Sequence, residues 1–251
     1  MRLLIVNDQF ESGGAGRVTA TMCCELARRG YDIELVADNI NFPIRYTLPV
    51  GVKVHSVEFI SKKIGPLSRL VSLFKTAQKI RSYVKVIKPD LILAVQANGF
   101  IRAFIANRGM GIPIIAIDHT SFARKMDFIN TLTRHYLYRY ADGLSILTKR
   151  DEKLLGDKYP KKRVIYNPLT YPLLKEFPKR EKTILCVGRF DIWQIKGFDL
   201  IVEIWEELAA KYPDWKLVFA GTGKDENINY IKGLLRVHQI DNFVHFLGSG
   251  R

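Results

Sequence analysis

The first eighteen residues, Met1-Arg-Leu-Leu-Ile-Val-Asn-Asp-Gln-Phe-Glu-Ser-Gly-Gly-Ala-Gly-Arg-Val18, contain a short apolar run followed by a cluster of glycines. The run Leu3–Val6 has the length and composition of a buried strand, and the glycines stand where an amphipathic helix over residues 14–28 begins. Glycine lets backbone amides approach a ligand closely, and a helix amino terminus offers unpaired N–H groups to an anion. The stretch predicts a strand, a phosphate-binding turn and a helix, with a turn that binds nothing as the alternative.

The same alternation of apolar runs and amphipathic stretches continues along the chain. Runs rich in Ile, Leu and Val, separated by helices, are typical of the parallel sheet of a doubly wound α/β fold. Three of the ten prolines fall in residues 167–180, which predicts a linker. We expect two Rossmann-like domains, residues 1–177 and residues 178–251. Only three strands are predicted in the second domain, which is too few for an independent sheet, so we expect it to be incomplete.

The expected elements follow from the pattern of each run. Strands are predicted at Leu3–Val6, Ile33–Ala37, Val52–Val57, Leu91–Val95, Ile114–Ile117, Leu144–Leu147, Val164–Tyr166, Thr183–Val187, Lys216–Ala220 and Phe243–Phe246. Helices are predicted at about residues 14–28, 66–87, 100–107, 127–139, 150–156, 197–211 and 227–237.

Composition limits the class of protein. A hydrophobic fraction of 47% with 25% charged residues is typical of a folded soluble chain and excludes disordered and collagen-like proteins. The formal charge of +14 favours an anionic partner, such as nucleic acid, an anionic membrane or a phosphorylated ligand. The three cysteines have neither disulfide nor metal-site spacing, so we predict reduced thiols in a cytoplasmic protein.

Two cations stand at the corresponding place in the second domain. Arg189 follows the strand Thr183–Val187, and Lys196 precedes the helix that begins at Gly197. Carboxyl ends of strands and amino ends of helices meet at one sheet edge, so the two charges are expected together. Facing the glycine turn across a cleft, they would bind a diphosphate leaving group and neutralise the charge that develops as its bond breaks.

Two other functions stay open at this point. Asp38 follows the second strand, where a ribose-binding carboxylate would sit, although a solvated turn is the more common role for such a residue. Thr19 stands where the dinucleotide fingerprint requires a third glycine. An NAD(P)-dependent reductase is therefore one alternative, and a non-catalytic basic binding module is another.

Eight segments match one known family. They are Gly13–Val18, Lys88–Ile92, Asp118-His119, Val164–Pro168, Val187–Phe190, Lys196–Ile201, Trp215–Gly223 and Val244–Gly248. Together they resemble the retaining glycosyltransferases of family 4, which have the GT-B fold. The resemblance implies transfer of a hexose from a nucleotide-diphosphate sugar, expected to be a UDP-sugar, to a glycan or lipid-linked acceptor with retention. It also implies a role in cell-surface polysaccharide or lipopolysaccharide synthesis.

The resemblance also implies roles for single residues. Gly14 and Gly16 would approach the donor diphosphate, Arg189 and Lys196 would bind it, and His119 would lie near the transferred sugar. The first domain would face the acceptor and the second would bind the nucleotide-sugar. Neither a metal nor a resident cofactor is expected, because the two cations replace the metal electrostatically.

The chain departs from the family pattern at its carboxyl end. The family has a pair of glutamates separated by seven positions, and no two glutamates in this chain are eight positions apart. We therefore expect a C-terminally truncated protein that has weak or absent transferase activity by itself.

Residues 61–88 carry eight Lys or Arg and no acidic residue. We expect a helix that either rests on an anionic membrane or packs on the sheet with solvated lysines, and the resemblance favours the membrane and a peripheral location at its inner face. Residues 122–140 interleave aromatic and basic residues, for which we prefer a crossover helix with buried aromatic side chains and keep a candidate acceptor wall as the alternative. No nucleic-acid recognition motif is present, so nucleic acid is not an expected partner. Within residues 61–88, the apolar residues at helical spacing that form the predicted stripe are Leu67, Leu70, Val71, Phe74 and Ala77.

Overall fold

A computed structural model describes residues 1–8, 10, 13–38, 46–59, 65–171, 173–177 and 179–248. The chain divides into two compact units, Met1–Pro172 and Leu173–Arg251, which we call unit 1 and unit 2. This division falls inside the predicted linker, five residues before the expected boundary at residue 177. Ser12 of the glycine cluster, residues 61–64 of the basic stretch and the side chain of Leu67 lie outside the described residues.

Within the described part of unit 1, seven strands pair in parallel. They are β1 (Arg2–Asn7), β2 (Asp32–Ala37), β3 (Lys53–Ser56), β4 (Leu91–Val95), β5 (Ile114–Ile117), β6 (Gly143–Ile146) and β7 (Lys162–Val164). Their spatial order is β3-β2-β1-β4-β5-β6-β7. The order reverses between β1 and β4, which makes this the topological switch point where doubly wound sheets bind ligands.

Helices cover both faces of this sheet. They are α1 (Gly14–Arg28), α2 (Pro66–Ile87), α3 (Gln96–Asn107), α4 (Phe128–Leu132) and α5 (Lys149–Leu155). A π-helical turn, Thr133–Leu137, and a 3-10 turn, Tyr138–Tyr140, continue α4. One core contains side chains of α2, α3 and the 3-10 turn, and a second core on the opposite face contains side chains of α1. The continuous apolar runs in the sequence predicted strands that are buried on both faces of the sheet.

Helix α2 packs a different face from the predicted one. Of the predicted stripe, Ala77 is buried, whereas Leu70, Val71 and Phe74 are 46%, 47% and 49% exposed. The exposure of these three side chains contradicts the alternative in which the predicted stripe packs on the sheet. In the core that it shares with α3, the helix packs instead through a second stripe. Its members are Leu73, Thr76, Ala77, Ile80, Val84 and Ile87.

The described residues of unit 2 form three parallel strands in the order β10-β9-β8. The strands are β8 (Thr183–Val187), β9 (Lys216–Ala220) and β10 (Val244–Leu247), and the helices are α6 (Trp193–Lys196), α7 (Phe198–Ala209) and α8 (Asp225–Val237). The aromatic side chains of Trp205 and Phe219 lie in the core between the helices and one face of the sheet. On the other face, Leu185, Val187 and Leu247 are exposed.

Bilayer-spanning helices require both length and apolar character. None of the helices in the described ranges combines the two.

Candidate functional site

The glycine turn opens α1 beside the switch point of unit 1. Gly13 has a φ of 97°, and the Tyr46 hydroxyl donates a hydrogen bond to its carbonyl oxygen at 2.8 Å. Gly14 is exposed, and a Cβ placed on it meets no atom within 4 Å. Gly16 is buried, and a Cβ there would lie 2.9 Å from the Tyr46 ring. The close approach of the Tyr46 ring therefore explains why residue 16 is a glycine. Gly14 differs from it, because the space beside its Cα at the amino terminus of the helix is open.

Thr19 connects α1 to β1. Its hydroxyl accepts a hydrogen bond from the Asn7 side-chain amide at 3.0 Å, and both residues are buried. This contact gives the non-glycine residue at position 19 a structural role.

His119 lies two residues beyond β5 at the same sheet edge. Both of its ring nitrogens are buried, and neither has a hydrogen-bond partner among the residues that the structure describes. Burial lowers the pKa of His119, and the charge of Asp118 and the side chain of Asn167 act in the opposite direction. Buried polar atoms of proteins are nearly always paired, so a buried imidazole with no partner described for either nitrogen is an exception that singles out His119 in this loop.

A buried ion pair fixes the chain on either side of His119. Asp118 accepts hydrogen bonds from Arg134 Nε at 2.9 Å, the Tyr138 hydroxyl at 3.0 Å and the Thr120 backbone N–H at 2.9 Å. The Arg134 guanidinium also donates to the Thr120 carbonyl oxygen at 2.6 Å and lies 4.0 Å from the centre of the Phe122 ring. Burial raises the pKa of Asp118, and the Arg134 charge opposes that change. Local sequence does not indicate these partners of Asp118, because Arg134 and Tyr138 lie 16 and 20 residues further along the chain.

A second carboxylate anchors the next part of this loop. Asp151 accepts hydrogen bonds from the Ser121 hydroxyl at 2.9 Å, the Phe122 backbone N–H at 2.8 Å and the Thr148 hydroxyl at 2.7 Å. Burial by itself would raise the pKa of Asp151, but these hydrogen bonds together lower it. The spacing Thr148-x-x-Asp151 before α5 is a helix-capping pattern that could have pointed to this residue.

Asp38 has a structural role. It is fully buried and accepts a hydrogen bond from the Phe59 backbone N–H at 2.8 Å. Arg102 is also buried, and this burial lowers its pKa to about 10, while the charges of Asp8 and Asp38 oppose the shift. The expectation that Asp38 lies in a solvated turn is therefore wrong, and its burial removes it as a carboxylate that could reach a ribose.

The two predicted cations of unit 2 lie at one end of its sheet. Arg189 follows β8 directly after Gly188, and Lys196 ends α6. A Cβ placed on Gly188 would lie 3.0 Å from Lys196 Cγ, so the lysine stem crosses the glycine that precedes Arg189. Both side chains are exposed, and within the ranges described here neither forms an ion pair or a hydrogen bond. The structure therefore brings these two charges to one sheet edge.

Two glycines keep the neighbouring loop close to this edge. Gly221 has a φ of 155°, and a Cβ there would lie 1.8 Å from the Gly188 carbonyl oxygen. A Cβ on Gly223 would lie 2.6 Å from Phe190 Cβ. Asp191 accepts hydrogen bonds from the Lys224 backbone N–H and the Asn227 amide, and the first of these contributes most to its lowered pKa. Glycine at 221 and 223 therefore allows the backbone of this loop to lie directly against Gly188 and Phe190, the neighbours of Arg189.

The sequence matches two family models. Residues 12–170 match the model described as Glycosyltransferase Family 4, and residues 181–250 match the model described as Glycosyl transferases group 1. The first match covers more than half of the chain.

Two curated relatives agree with these models. The chain is 28% identical over 240 residues to an uncharacterized glycosyltransferase of Haemophilus influenzae, with 94% of this chain and 65% of that protein covered. It is 24% identical over 236 residues to the amylovoran biosynthesis glycosyltransferase AmsD of Erwinia amylovora, with 89% of this chain and 62% of that protein covered. The chain therefore spans less than two thirds of the length of these relatives.

Solved structures show the same architecture. Sucrose-phosphate synthase from Thermosynechococcus elongatus aligns with a TM-score of 0.79 at 16% identity, over 99% of this chain and 70% of that one. Anabaena HepE, solved in complex with UDP and glucose, aligns with a TM-score of 0.66 at 14% identity, over 100% of this chain and 70% of that one. The chain therefore has the GT-B fold and belongs to glycosyltransferase family 4.

Proposed function

We propose that the protein transfers a hexose from a UDP-sugar to a glycan or lipid-linked acceptor with retention of the anomeric configuration, in cell-surface polysaccharide or lipopolysaccharide synthesis. The observation that carries this proposal is the pair of exposed cations, Arg189 and Lys196, at one edge of the sheet of unit 2 in a member of a glycosyltransferase family. The UDP and glucose of HepE support the donor, and the amylovoran role in the name of AmsD supports a polysaccharide acceptor. Family membership favours transfer over a reductase or a non-catalytic module.

Unit 2 would stabilise the leaving group. When the bond between the anomeric carbon and the diphosphate oxygen breaks, its electron pair stays on that oxygen. Arg189 offers a planar set of N–H donors to the phosphates, and Lys196 offers a compact positive charge. Because both charges are in place before the reaction, they stabilise the developing negative charge without reorganisation.

Unit 1 would supply the groups that contact the rest of the substrate. We assign Gly14 and Gly16 to the approach of the diphosphate, with the buried Gly16 acting only through its backbone. We assign His119 to a hydroxyl of the transferred sugar, because its lowered pKa favours the neutral ring, which has one donor and one acceptor, and neither nitrogen meets the geometry of a hydrogen bond within the described residues. With retention, the acceptor hydroxyl attacks from the side on which the diphosphate leaves, so a phosphate oxygen can take its proton and no side-chain base is required.

The proposal assigns the acceptor to unit 1 and the donor to unit 2. It also includes a peripheral location at the inner face of the membrane, which suits a lipid-linked acceptor.

Nucleotide binding tests the donor assignment. UDP affinity is measured by calorimetry for the unchanged chain and for Arg189→Ala, Lys196→Ala and the control Arg236→Ala, which removes an exposed arginine at the end of α8. A charge-assisted hydrogen bond contributes about 1.5–3 kcal/mol, so each of the first two variants is expected to bind UDP about tenfold to a hundredfold more weakly. An unchanged affinity in Arg189→Ala, or binding of NADPH in place of UDP, contradicts the assignment.

A second variant tests the role of His119. In His119→Ala, the affinity for a UDP-hexose is expected to fall by about tenfold while the affinity for UDP stays within about twofold, because the histidine is assigned to the sugar and not to the nucleotide. A parallel loss of UDP affinity would place the histidine elsewhere in the site.

A further inference from the structure

A recess opens on unit 1 at the edge of the sheet that is formed by the amino ends of its strands. Its volume is about 450 Å³, and it is lined by the end of α2 and by the turn after α3, with Arg81, Lys85 and Lys88 among the lining residues. Lys88 stands three residues before β4 begins. Gly14 and His119, in contrast, follow the carboxyl ends of β1 and β5. The two ends of parallel strands form opposite edges of a sheet, so this recess is separate from the positions assigned to the transfer reaction.

The three cations give this recess, which we call the cationic recess, a positive charge. The Arg81 guanidinium is held in place, because its Nη1 donates hydrogen bonds to the carbonyl oxygens of Ala106 at 2.8 Å and Arg108 at 2.7 Å. Lys85 and Lys88 are exposed, and neither forms an ion pair with any residue that the structure describes. One fixed cation and two unpaired ones therefore surround an open space.

No carboxylate neutralises these charges among the described residues that line the cationic recess. Helix α2 contains no acidic residue. Asp90 is close in sequence, but its Oδ2 accepts a hydrogen bond from the Arg2 backbone N–H at 2.7 Å, at the start of β1. A concave group of unneutralised cations favours a phosphate group.

A second recess adjoins the same turn and differs in character. Its volume is about 260 Å³, and Ile112 lines both recesses. Phe104 and Tyr140 line the second one and stack with ring centres 5.8 Å apart. The Tyr140 side chain is 61% exposed, so it offers an apolar face against which the C–H groups of a sugar ring can pack. We call this the aromatic recess.

The aromatic recess also contains groups that can bind hydroxyls. Asp142 Oδ2 accepts a hydrogen bond from the Ile114 backbone N–H at 2.9 Å, whereas Oδ1 lies 3.9 Å from Lys161 Nζ and keeps capacity to accept. The Arg108 side chain is exposed and forms no ion pair within the described ranges. Neighbouring hydroxyls of a sugar can donate to a carboxylate and accept from a guanidinium. Because the carboxylate repels a phosphate, the anionic group of a ligand is expected in the cationic recess.

The turn that lines both recesses is fixed by its own hydrogen bonds. Asn107 Nδ2 donates to the Ile112 carbonyl oxygen at 2.6 Å, and the Met110 N–H donates to the Asn107 carbonyl oxygen at 2.8 Å. Gly109 and Gly111 have φ angles of 77° and 71°, which glycine adopts without strain. A ligand that contacts both recesses therefore meets a wall that is in place before it binds, which lowers the entropy cost of binding.

We propose that the two recesses together bind a soluble sugar phosphate, with its phosphate at Arg81, Lys85 and Lys88 and its sugar ring on Tyr140. The phosphate accounts for the unpaired cations, and the sugar accounts for the exposed ring beside the Asp142 carboxylate. The volume of the cationic recess lies within the range of small-molecule sites, which is about 300–1,000 Å³. The proposal concerns binding at a second site and does not depend on transfer activity.

Calorimetry on the full chain tests the phosphate part. The 1-phosphates of glucose, galactose and mannose are titrated with and without saturating UDP, and the affinity of the preferred one is expected to be the same in both. A hydrogen bond to a charged group contributes about tenfold or more to affinity, so Lys85→Gln/Lys88→Gln is expected to bind this sugar phosphate at least about tenfold more weakly. The matched control Lys75→Gln/Lys79→Gln removes two exposed lysines of the same helix that do not line the recess, and its affinity is expected to stay within about twofold.

Two tyrosine variants test the sugar part. Tyr140→Ala is expected to weaken sugar phosphate binding by about threefold to tenfold and to leave the binding of inorganic phosphate unchanged. The control Tyr136→Ala removes another exposed ring of the same segment and is expected to change neither. Inorganic phosphate and glycerol 3-phosphate, which lack a sugar ring, are expected to bind more weakly than the preferred sugar phosphate by the same factor.

Four results would overturn the proposal. They are a failure of all three sugar phosphates to bind more tightly than inorganic phosphate, equal affinity for glycerol 3-phosphate, displacement of the sugar phosphate by UDP, and equal losses in the two lysine double variants. Amide NMR of the labelled chain locates the ligand: the Gly109 and Gly111 signals are expected to shift, and a shift confined to Gly188 and Gly221 would contradict the assignment. Loss of UDP binding in Arg189→Ala with unchanged sugar phosphate binding would separate this site from the donor assignment.

Discussion

Replacement of Arg134 by Met would leave the carboxylate of Asp118 without its charged partner. Both side chains are almost fully buried, at 3% and 1% exposure, and methionine keeps much of the arginine stem. The Tyr138 hydroxyl and the Thr120 backbone N–H would be the remaining donors described for Asp118, and the Thr120 carbonyl oxygen would lose the guanidinium as well. Breaking a buried ion pair from one side costs about 3–5 kcal/mol, which is a large part of a typical folding free energy of about 5–15 kcal/mol.

The folding free energy lost in Arg134→Met should depend on pH. The pKa of Asp118 is raised above its ordinary value of 3.8, so the folded protein holds this proton more tightly than the unfolded chain does. The stability gained from the protonated form is complete below pH 3.8 and disappears as the pH rises through the folded value. Removal of the Arg134 charge raises the folded pKa further. The difference in unfolding free energy between Arg134→Met and the unchanged protein is therefore expected to be smaller at pH 4 than at pH 7.

Urea unfolding followed by circular dichroism measures this difference, and hydrogen exchange of peptides from residues 114–138 locates it in unit 1. The control Arg139→Met removes an exposed arginine and is expected to change stability by no more than about 0.5 kcal/mol. The double variant Asp118→Asn/Arg134→Met should recover part of the loss, because it leaves no uncompensated charge. A loss that is the same at pH 4 and pH 7, or a double variant no more stable than the single one, would refute the reasoning.

Two further changes test contacts that support the site. Gly221→Ala is expected to destabilise unit 2 by about 3 kcal/mol or more, because its Cβ would lie 1.8 Å from the Gly188 carbonyl oxygen. Urea unfolding by tryptophan fluorescence measures it, since all three tryptophans lie in unit 2, and Gly233→Ala in α8, where a Cβ meets nothing within 4 Å, should instead stabilise by up to about 1 kcal/mol. Thr148→Ala removes the cap of α5 and a donor to Asp151, and should cost about 1 kcal/mol by thermal unfolding; no change would mean that the loop before α5 is held by other contacts.

The sequence predicted a strand that overlaps each of the ten strands in the described residues, because each is a continuous local pattern, although β7 lies two residues before its predicted position at Val164–Tyr166. Helices α1 and α2 begin and end at the expected residues, and β4, β5, β8 and β9 have the expected bounds. The segment after Asp127 was predicted as one helix but changes from α to π and then to 3-10 geometry. Its spacing could not show this, because the change accompanies the burial of Arg134 and Tyr138 against Asp118, a residue outside the segment.

Helix α2 shows why its apolar pattern did not determine the packed face. The pattern contains two overlapping stripes that share Ala77, one with Leu70 and Phe74 and the other with Ile80 and Val84. Each has helical spacing, so local sequence favours neither. The stripe that contains Ile80 and Val84 lies in the core shared with α3, and the stripe that contains Leu70 and Phe74 is exposed beside the lysines.

The candidate site divides in the same way between local and long-range information. His119, Gly14 and Arg189 could be selected from sequence because each directly follows a strand or begins a helix, and parallel topology brings such positions to a sheet edge. Their supporting contacts could not be selected, since Arg134 and Asp151 reach the His119 loop from 16 and about 30 residues away in sequence. Asp38 also follows a strand, as a ribose-binding carboxylate would. Its position in the sequence did not show that the carboxylate faces the Phe59 backbone and not a ligand. Position along the chain therefore predicts which side chains lie at the sheet edge. Whether such a side chain can contact a ligand depends on its burial and on its hydrogen-bond partners in the folded protein.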